Sequence, residues 1–185
     1  SAAVMTAVVC VTCSGETVSQ KEAKALATRF FNAARGQVMA PPNLVYNGRK
    51  LTTGSYFAPF YIYNHPTGGF VVVSAENKAF PILAYSLTDT FSPDNMGEKQ
   101  KAMLKLYARH IENVRYDSQI PYEAVEAWRD IPMYINELLT ARYSATDPRT
   151  SPRGALAELV AIAEGADAAG SASATYSPDQ WMRMI

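Results

Sequence analysis

Three apolar runs separated by short polar breaks form the most regular pattern along the chain. The first break, 65–69, contains Gly68 and Gly69, which can adopt the positive φ of a tight turn, and the second is the polar turn 76–78. Such short connections join antiparallel neighbours, so the pattern predicts a β-meander. The runs are rich in aromatic and β-branched residues, which favour strands, and they span 57–63, 70–74 and 80–85.

A helical pattern precedes the meander. Ser19 and Glu22 have the spacing of a capping box, in which each side chain bonds the backbone N–H near the other residue. Gly36 follows as a helix stop. Between them, apolar residues recur at helical spacing and predict one buried stripe made of Ala23, Leu26, Ala27, Phe30, Phe31 and Ala34.

Further helices are predicted after the meander. Pro121 begins a helical stretch that contains Val125 and Trp128, and Pro132 interrupts it before a last turn or two over 133–143. Before it, residues 99–114 predict a long amphipathic helix with an apolar face of Met103, Leu106, Tyr107, Ile111 and Val114. Together these elements predict an α+β domain, an antiparallel meander packed against amphipathic helices, with a helical C-terminal extension.

The segment around Asn47 and Gly48 has two interpretations. Asn-Gly is a strong hairpin signal, so residues 44–46 and 51–53 form either a small hairpin or an edge strand.

Composition fits one soluble globular domain, since 48% of the 185 residues are hydrophobic. The net charge is zero, so no long-range electrostatic field attracts the chain to nucleic acid or to an anionic membrane. No apolar run reaches the roughly 20 residues that span a bilayer.

The apolar stretch 4–13 resembles the end of a secretory leader, so we expect residues 1–18 to be a leader remnant or a first strand. A leader would place the protein outside the cytoplasm, as a secreted, periplasmic or cell-surface protein. Residues 19–143 form the predicted domain, and 144–185 an Ala-rich helical tail or linker.

Residues suited to catalysis are few. His65 lies in a turn and His110 in a charged helical stretch, and both are predicted to be surface histidines. Cys10 and Cys13 form a CxxC pair, which can be a redox dithiol or half of a zinc site. The second half of a zinc site is missing, and the predicted sheet lacks the βαβ context of a redox domain. We therefore predict no catalytic residue, no metal and no cofactor.

The meander also carries a family resemblance. The run 66–74, with its glycine pair and valine strand, and the run 80–86 resemble the pro-region of the streptopain family of bacterial papain-like cysteine peptidases. They equally resemble the related stand-alone Spi inhibitors. The similarity covers about 19–143 and includes Glu22-Ala23, Phe91, Met103-Leu104, Tyr107 and Ile111.

This resemblance implies an α+β domain with a twisted antiparallel sheet, which holds a papain-like peptidase inactive by blocking its substrate cleft. The blocking segment that it implies is the connector before the long helix, namely Asn95, Met96, Gly97, Glu98 and Lys99. Trp and Tyr are enriched in binding hot spots, so Tyr116, Tyr122 and Trp128 are candidate anchors, with core packing as the alternative.

Two other functions stay open. Residues 138–143 are similar to the junction at which a zymogen's catalytic domain begins, so the chain could be a fragment or degenerate form of such a zymogen. It could also be a secreted binding module that uses the same fold.

Overall fold

The computed structural model describes residues 16–52 and 57–140. It contains a four-stranded antiparallel sheet in the order β1-β2-β3-β4 and four α-helices, which confirms the predicted α+β fold. The strands are β1 (Asn43–Tyr46), β2 (Phe60–Asn64), β3 (Phe70–Ser74) and β4 (Ile82–Ser86). The helices are α1 (Gln20–Arg35), α2 (Glu98–Tyr116), α3 (Tyr122–Arg129) and α4 (Ile131–Thr140).

Helix α1 begins and ends as its local sequence predicts. The backbone N–H of Ser19 donates to Glu22 Oε2 at 2.8 Å, and the N–H of Glu22 donates to Ser19 Oγ at 3.3 Å, which completes the capping box. Ser19 Oγ also donates to Glu22 Oε2 at 2.6 Å, and this bond, together with the one from the Ser19 N–H, lowers the pKa of Glu22. Gly36 ends the helix with φ of 66°. Five residues of the predicted stripe are buried, namely Ala23, Leu26, Ala27, Phe30 and Phe31.

The sheet is covered by helices on both faces. All five residues of β3 are buried, which explains why this strand reads as a continuous apolar run. Helices α1, α3 and α4 share one apolar cluster with Tyr63, Val71, Val73, Ile82 and Tyr85 of the sheet. On the opposite face, residues of α2 pack with Phe60, Ile62, Phe70, Val72 and Leu83.

Tyrosine hydroxyls tie the first of these layers together. Tyr63 Oη donates to the carbonyl of Gln20 at 2.8 Å, and Tyr134 Oη of α4 donates to the carbonyl of Ile82 at 3.2 Å. Burial raises the pKa of both phenols, because a phenolate has no water there to solvate it.

Two predicted strands begin later than expected, and prolines explain the difference. β2 starts at Phe60 and β4 at Ile82, each directly after a proline, which has no N–H to give to a ladder. Phe57 and Phe80 therefore lie outside the sheet. The ring of Phe57 contacts the Arg115 guanidinium, and the ring of Phe80 stacks on Tyr134.

Around Gly48 the edge-strand interpretation is correct and the hairpin is wrong. β1 pairs with β2, and Arg49–Leu51 is a 3-10 turn. Gly48 has φ of 64°, and a Cβ there would lie 2.7 Å from the Phe60 ring, so the glycine allows the chain to cross this buried side chain.

The break between α3 and α4 lies at Asp130, two residues before the predicted interruption. Pro132 lies in the first turn of α4, where its missing N–H is not needed by the helix. Asp130 Oδ1 accepts the N–H of Met133 at 3.0 Å and caps the new helix.

His65 is buried, which corrects the prediction of a surface histidine. It is 3% exposed, and its ring lies 4.8 Å from that of Phe31. Its Nδ1 accepts the backbone N–H of Thr67 at 3.2 Å. The turn folds under the end of α1, a contact that the local sequence does not reveal.

His110 is half-buried on α2, and burial lowers its pKa.

The terminal predictions fall largely outside the described residues. Of segment 1–18, residues 16–18 run along the turn after β3, with an isolated bridge between Thr17 and Glu76 and a hydrogen bond from Val18 N–H to Ala75 O at 2.9 Å. Cys10, Cys13 and the tail 144–185 lie outside the described part of the chain.

Candidate functional site

The connector between β4 and α2 starts from a tight polar turn. Ser86 Oγ accepts the backbone N–H of Asp89 at 2.9 Å and donates to Asp89 Oδ2 at 3.1 Å. Its oxygen also accepts the N–H of Thr88 at 3.3 Å. A buried serine at the end of a strand thus sets the direction in which the connector leaves the sheet.

A second anchor holds the middle of the connector. The side chain of Asn64, at the end of β2, donates to the carbonyl of Phe91 at 2.8 Å and accepts its N–H at 3.1 Å. The Phe91 ring is 4% exposed and packs about 6 Å from the rings of Phe70 and Tyr46. Backbone and side chain of Phe91 are therefore both fixed.

The far end of the connector is held by α2. Gly97 N–H donates to the side chain of Gln100 at 2.8 Å, and the carbonyl of Gly97 accepts the N–H of Lys101 at 3.0 Å. Pro93–Asn95 forms a 3-10 turn, and the half-buried Met96 packs on the α2 side of the sheet. The segment between Phe91 and α2 is thus fixed at both ends.

The five residues of the predicted blocking segment divide into two parts. Asn95, Met96 and Gly97 lie in the connector, whereas Glu98 and Lys99 belong to the first turn of α2. All except Met96 are exposed. Glu98 pairs with Lys101 at 2.8 Å, and this pair lowers the pKa of Glu98.

Gly97 differs from the turn glycines. Its φ of −69° and ψ of 163° suit any residue, and a Cβ would meet only Gln100 Oε1, at 3.9 Å. Gly68 and Gly69 have φ of 96° and closely approach backbone carbonyls. The fold therefore requires the glycine pair but has no need of a glycine at 97, where the missing side chain leaves bare backbone on the surface.

The structure does not bring the candidate aromatic anchors together with this segment. Tyr116 and Tyr122 are 82% and 70% exposed, but they flank the far end of α2. A 19-residue helix is about 28 Å long, so Tyr116, its last residue, lies about that far from Gly97, whereas Tyr122 begins the next helix. Trp128 packs with the helices on the opposite face of the sheet, and its Nε1 donates to the carbonyl of Ala79 at 2.8 Å.

The orientation of α2 across the sheet is fixed at its C-terminal end. Glu76, 2% exposed, pairs with Arg115 Nε at 3.0 Å. Lys78 Nζ donates to the carbonyls of Arg115 and Asp117 at 3.1 and 2.7 Å, where a cation also opposes the negative end of the helix dipole. The turn between β3 and β4 thus positions the helix that carries the exposed segment.

Two small cavities lie among the described residues. A space of about 10 Å³ beneath α2 has room for one water molecule. A groove of about 190 Å³ lies between α1 and the start of α4, below the roughly 300–1,000 Å³ of small-molecule sites. The groove is lined by Glu22, Ala25, Leu26, Arg29, Trp128 and Ile131.

Within residues 16–52 and 57–140, no three His, Cys, Asp or Glu side chains cluster as metal ligands would. Among the helices of that same part, none combines the length and apolar character needed to cross a bilayer. His65 uses Nδ1 to bond its own turn, and both cysteines lie outside the described residues.

Sequence reasoning overlooked the residues that position the connector. Asn64 and Ser86 each end an apolar strand, and a polar residue at that place is a usable signal for a side chain that caps or anchors the next loop. The partner of Asn64 is 27 residues away, so the contact itself could not be read from the local pattern.

The described residues form an α+β domain in which helices cover both faces of the sheet and an ordered, exposed connector joins β4 to α2. The family model of the Spi protease inhibitors matches residues 15–111, just over half of the chain, and the chain belongs to this family. The matched range contains α1, the whole sheet, the connector and α2 as far as Ile111. No curated protein matches the chain.

Proposed function

We propose that this protease inhibitor acts on a papain-like cysteine peptidase of the streptopain type by placing residues 95–99 across the substrate cleft. One observation carries the proposal: the exposed segment is held at both ends, by Asn64 at Phe91 and by Gln100 at Gly97. A segment that is already ordered loses little conformational entropy on binding.

The backbone of the segment also argues for a blocking role rather than a substrate role. A peptidase cleaves a chain that it binds in an extended form, with the scissile carbonyl available. The carbonyl of Gly97 is already engaged by Lys101 N–H, and Glu98 and Lys99 are helical. Cleavage here would first require unwinding the start of α2, so the bound segment should persist.

On this proposal the chain acts without a catalytic residue or a cofactor, because inhibition requires only a stable surface. Its partner is the peptidase, encountered outside the cytoplasm if the apolar stretch 4–13 is a leader. Inhibition in cis as a pro-region and in trans as a separate protein both use the same surface. A reading frame that continues past Ile185 with a catalytic Cys and His would indicate inhibition in cis.

The direct test mixes the purified chain with an active streptopain-type peptidase and follows cleavage of a fluorogenic peptide. We expect turnover to fall in proportion to added inhibitor. Undiminished turnover at micromolar excess of the chain would reject the proposal.

Two substitutions separate binding from folding. Asn95→Ala and Gly97→Ala alter exposed positions whose side-chain space is open, so the urea midpoint should not move. The inhibition constant should rise at least about tenfold if they lie in the bound surface. Asn136→Ala, at an exposed position of α4 on the other face of the sheet, is the matched control and should leave inhibition unchanged.

A further inference from the structure

The outer face of α2 carries a row of basic side chains. Lys101, Lys105 and Arg109 follow one another at four-residue spacing, and all three are exposed. They therefore lie along one side of the helix, roughly one turn apart. The sheet is contacted by the other side, through Leu104, Tyr107, Ala108 and Ile111.

This row is only partly compensated within the protein, by Glu98 at its start and by Glu112 three residues after Arg109. Lys101 pairs with Glu98, but Lys105 and Arg109 have no carboxylate within 4 Å among the described residues. Lys105 has basic residues four positions away on both sides and no acidic residue three or four positions away. Like charges at this spacing repel one another along the helix, so the arrangement does not stabilise the helix.

Two other cations of the domain have evident structural tasks. Arg35 donates to the carbonyls of Gly68 and Leu87, and Arg115 pairs with the buried Glu76. The chain as a whole has net charge zero, so a row of positive charge on one helix does not simply reflect a basic protein.

The row is continuous with the proposed inhibitory segment. At 1.5 Å per residue, Lys101, Lys105 and Arg109 lie about 6, 12 and 18 Å along the helix from Gly97. A standard protein interface buries about 800 Å² on each partner, a patch roughly 30 Å across. A peptidase that binds residues 95–99 would therefore extend over part of this helix face.

We infer that the outer face of α2 is an electrostatic docking surface for an acidic patch beside the cleft of the target peptidase. This inference rests on the proposed function, since it takes the peptidase as the partner. Complementary charges at the edge of an interface chiefly accelerate association, and their effect weakens as salt screens them. The row would thus orient the inhibitor during encounter, before the segment 95–99 enters the cleft.

The test is the double variant Lys105→Glu/Arg109→Glu, compared with Lys21→Glu/Lys24→Glu. The control changes the net charge by the same amount on exposed positions of α1, which covers the other face of the sheet. Association rate constants with the active peptidase are measured by progress curves, from about 20 mM to about 500 mM salt. Urea midpoints accompany each protein. A milder pair, Lys105→Gln/Arg109→Gln, gives the same comparison without reversing charge.

We expect the α2 variant to associate at least about tenfold more slowly than the natural protein at low salt, and the difference to shrink at high salt. The association rate constant of the Gln pair should lie between those of the natural protein and the Glu pair. That of the α1 control should stay within about twofold of the natural protein's. Three outcomes would each overturn the inference while inhibition itself stands. They are equal association rates for all variants, an association rate of the natural protein that does not depend on salt, and equal slowing by the α1 control. Absence of inhibition by the natural protein would overturn the proposed function as well.

Discussion

Two glycines on the same domain should respond in opposite ways to the same substitution. Gly69→Ala places a side chain in the turn between β2 and β3, whereas Gly97→Ala places one on the surface before α2. Gly69 has φ of 96°, and its Cβ would lie 2.9 Å from Ser86 O and 3.1 Å from the Phe31 ring. Gly97 has an ordinary backbone conformation and open space.

The magnitude follows from three contributions. A non-glycine residue held at such a φ costs about 1–3 kcal/mol. Displacing a backbone carbonyl and the ring of Phe31 adds about 1–3 kcal/mol, as other overpacked substitutions do. The lower entropy of the unfolded chain returns about 0.4–1 kcal/mol. The free energy of unfolding of Gly69→Ala should therefore fall by about 3 kcal/mol, the middle of the range that these contributions span.

Urea denaturation measures this loss. With a slope of about 1–3 kcal/mol per molar urea, the midpoint of Gly69→Ala should move down by about 1–3 M. Gly97→Ala should unfold within about 0.5 kcal/mol of the natural protein, as exposed substitutions usually do. An unchanged midpoint for Gly69→Ala, or an equal loss for Gly97→Ala, would refute the described geometry of the turn or of the connector.

Three further substitutions test the scaffold. Ser19→Ala removes the cap of α1 and should cost about 1 kcal/mol in urea denaturation, while no loss would mean that the capping box is not formed in solution. Phe30→Ala empties a fully buried site and should cost about 3–5 kcal/mol, yet the remaining folded protein should inhibit normally; a selective loss of inhibition would place Phe30 in the binding surface. Burial lowers the pKa of His110 below its unfolded value of about 6.5, so the unfolded chain takes up that proton first, and stability should fall as the pH drops below about 6.5. His110→Gln should remove this part of the pH dependence, and an unchanged profile would contradict it.

The sequence by itself determined the features that arise within a few residues of chain. The capping box of Ser19 and Glu22, the stop at Gly36 and the turn at Gly68 and Gly69 all depend on neighbours in sequence, and all occur as predicted. The antiparallel order of β2, β3 and β4 follows as well, since five- and seven-residue connections cannot join parallel strands.

Contacts between distant residues were decided only by the tertiary structure. His65 is buried because α1 brings Phe31 over its turn, 34 residues earlier in the chain. The candidate aromatics are separated because α2 puts Tyr116 far from Gly97 and because the α3–α4 corner packs Trp128 on the opposite face. The path of the connector before the proposed inhibitory segment likewise depends on Asn64, which bonds Phe91 from the end of β2, 27 residues earlier in the chain. Secondary-structure propensity and hydrophobic periodicity depend on a residue and its neighbours in the sequence. The arrangements above depend on which surfaces of the domain pack against each other, and that is fixed only when the whole core packs.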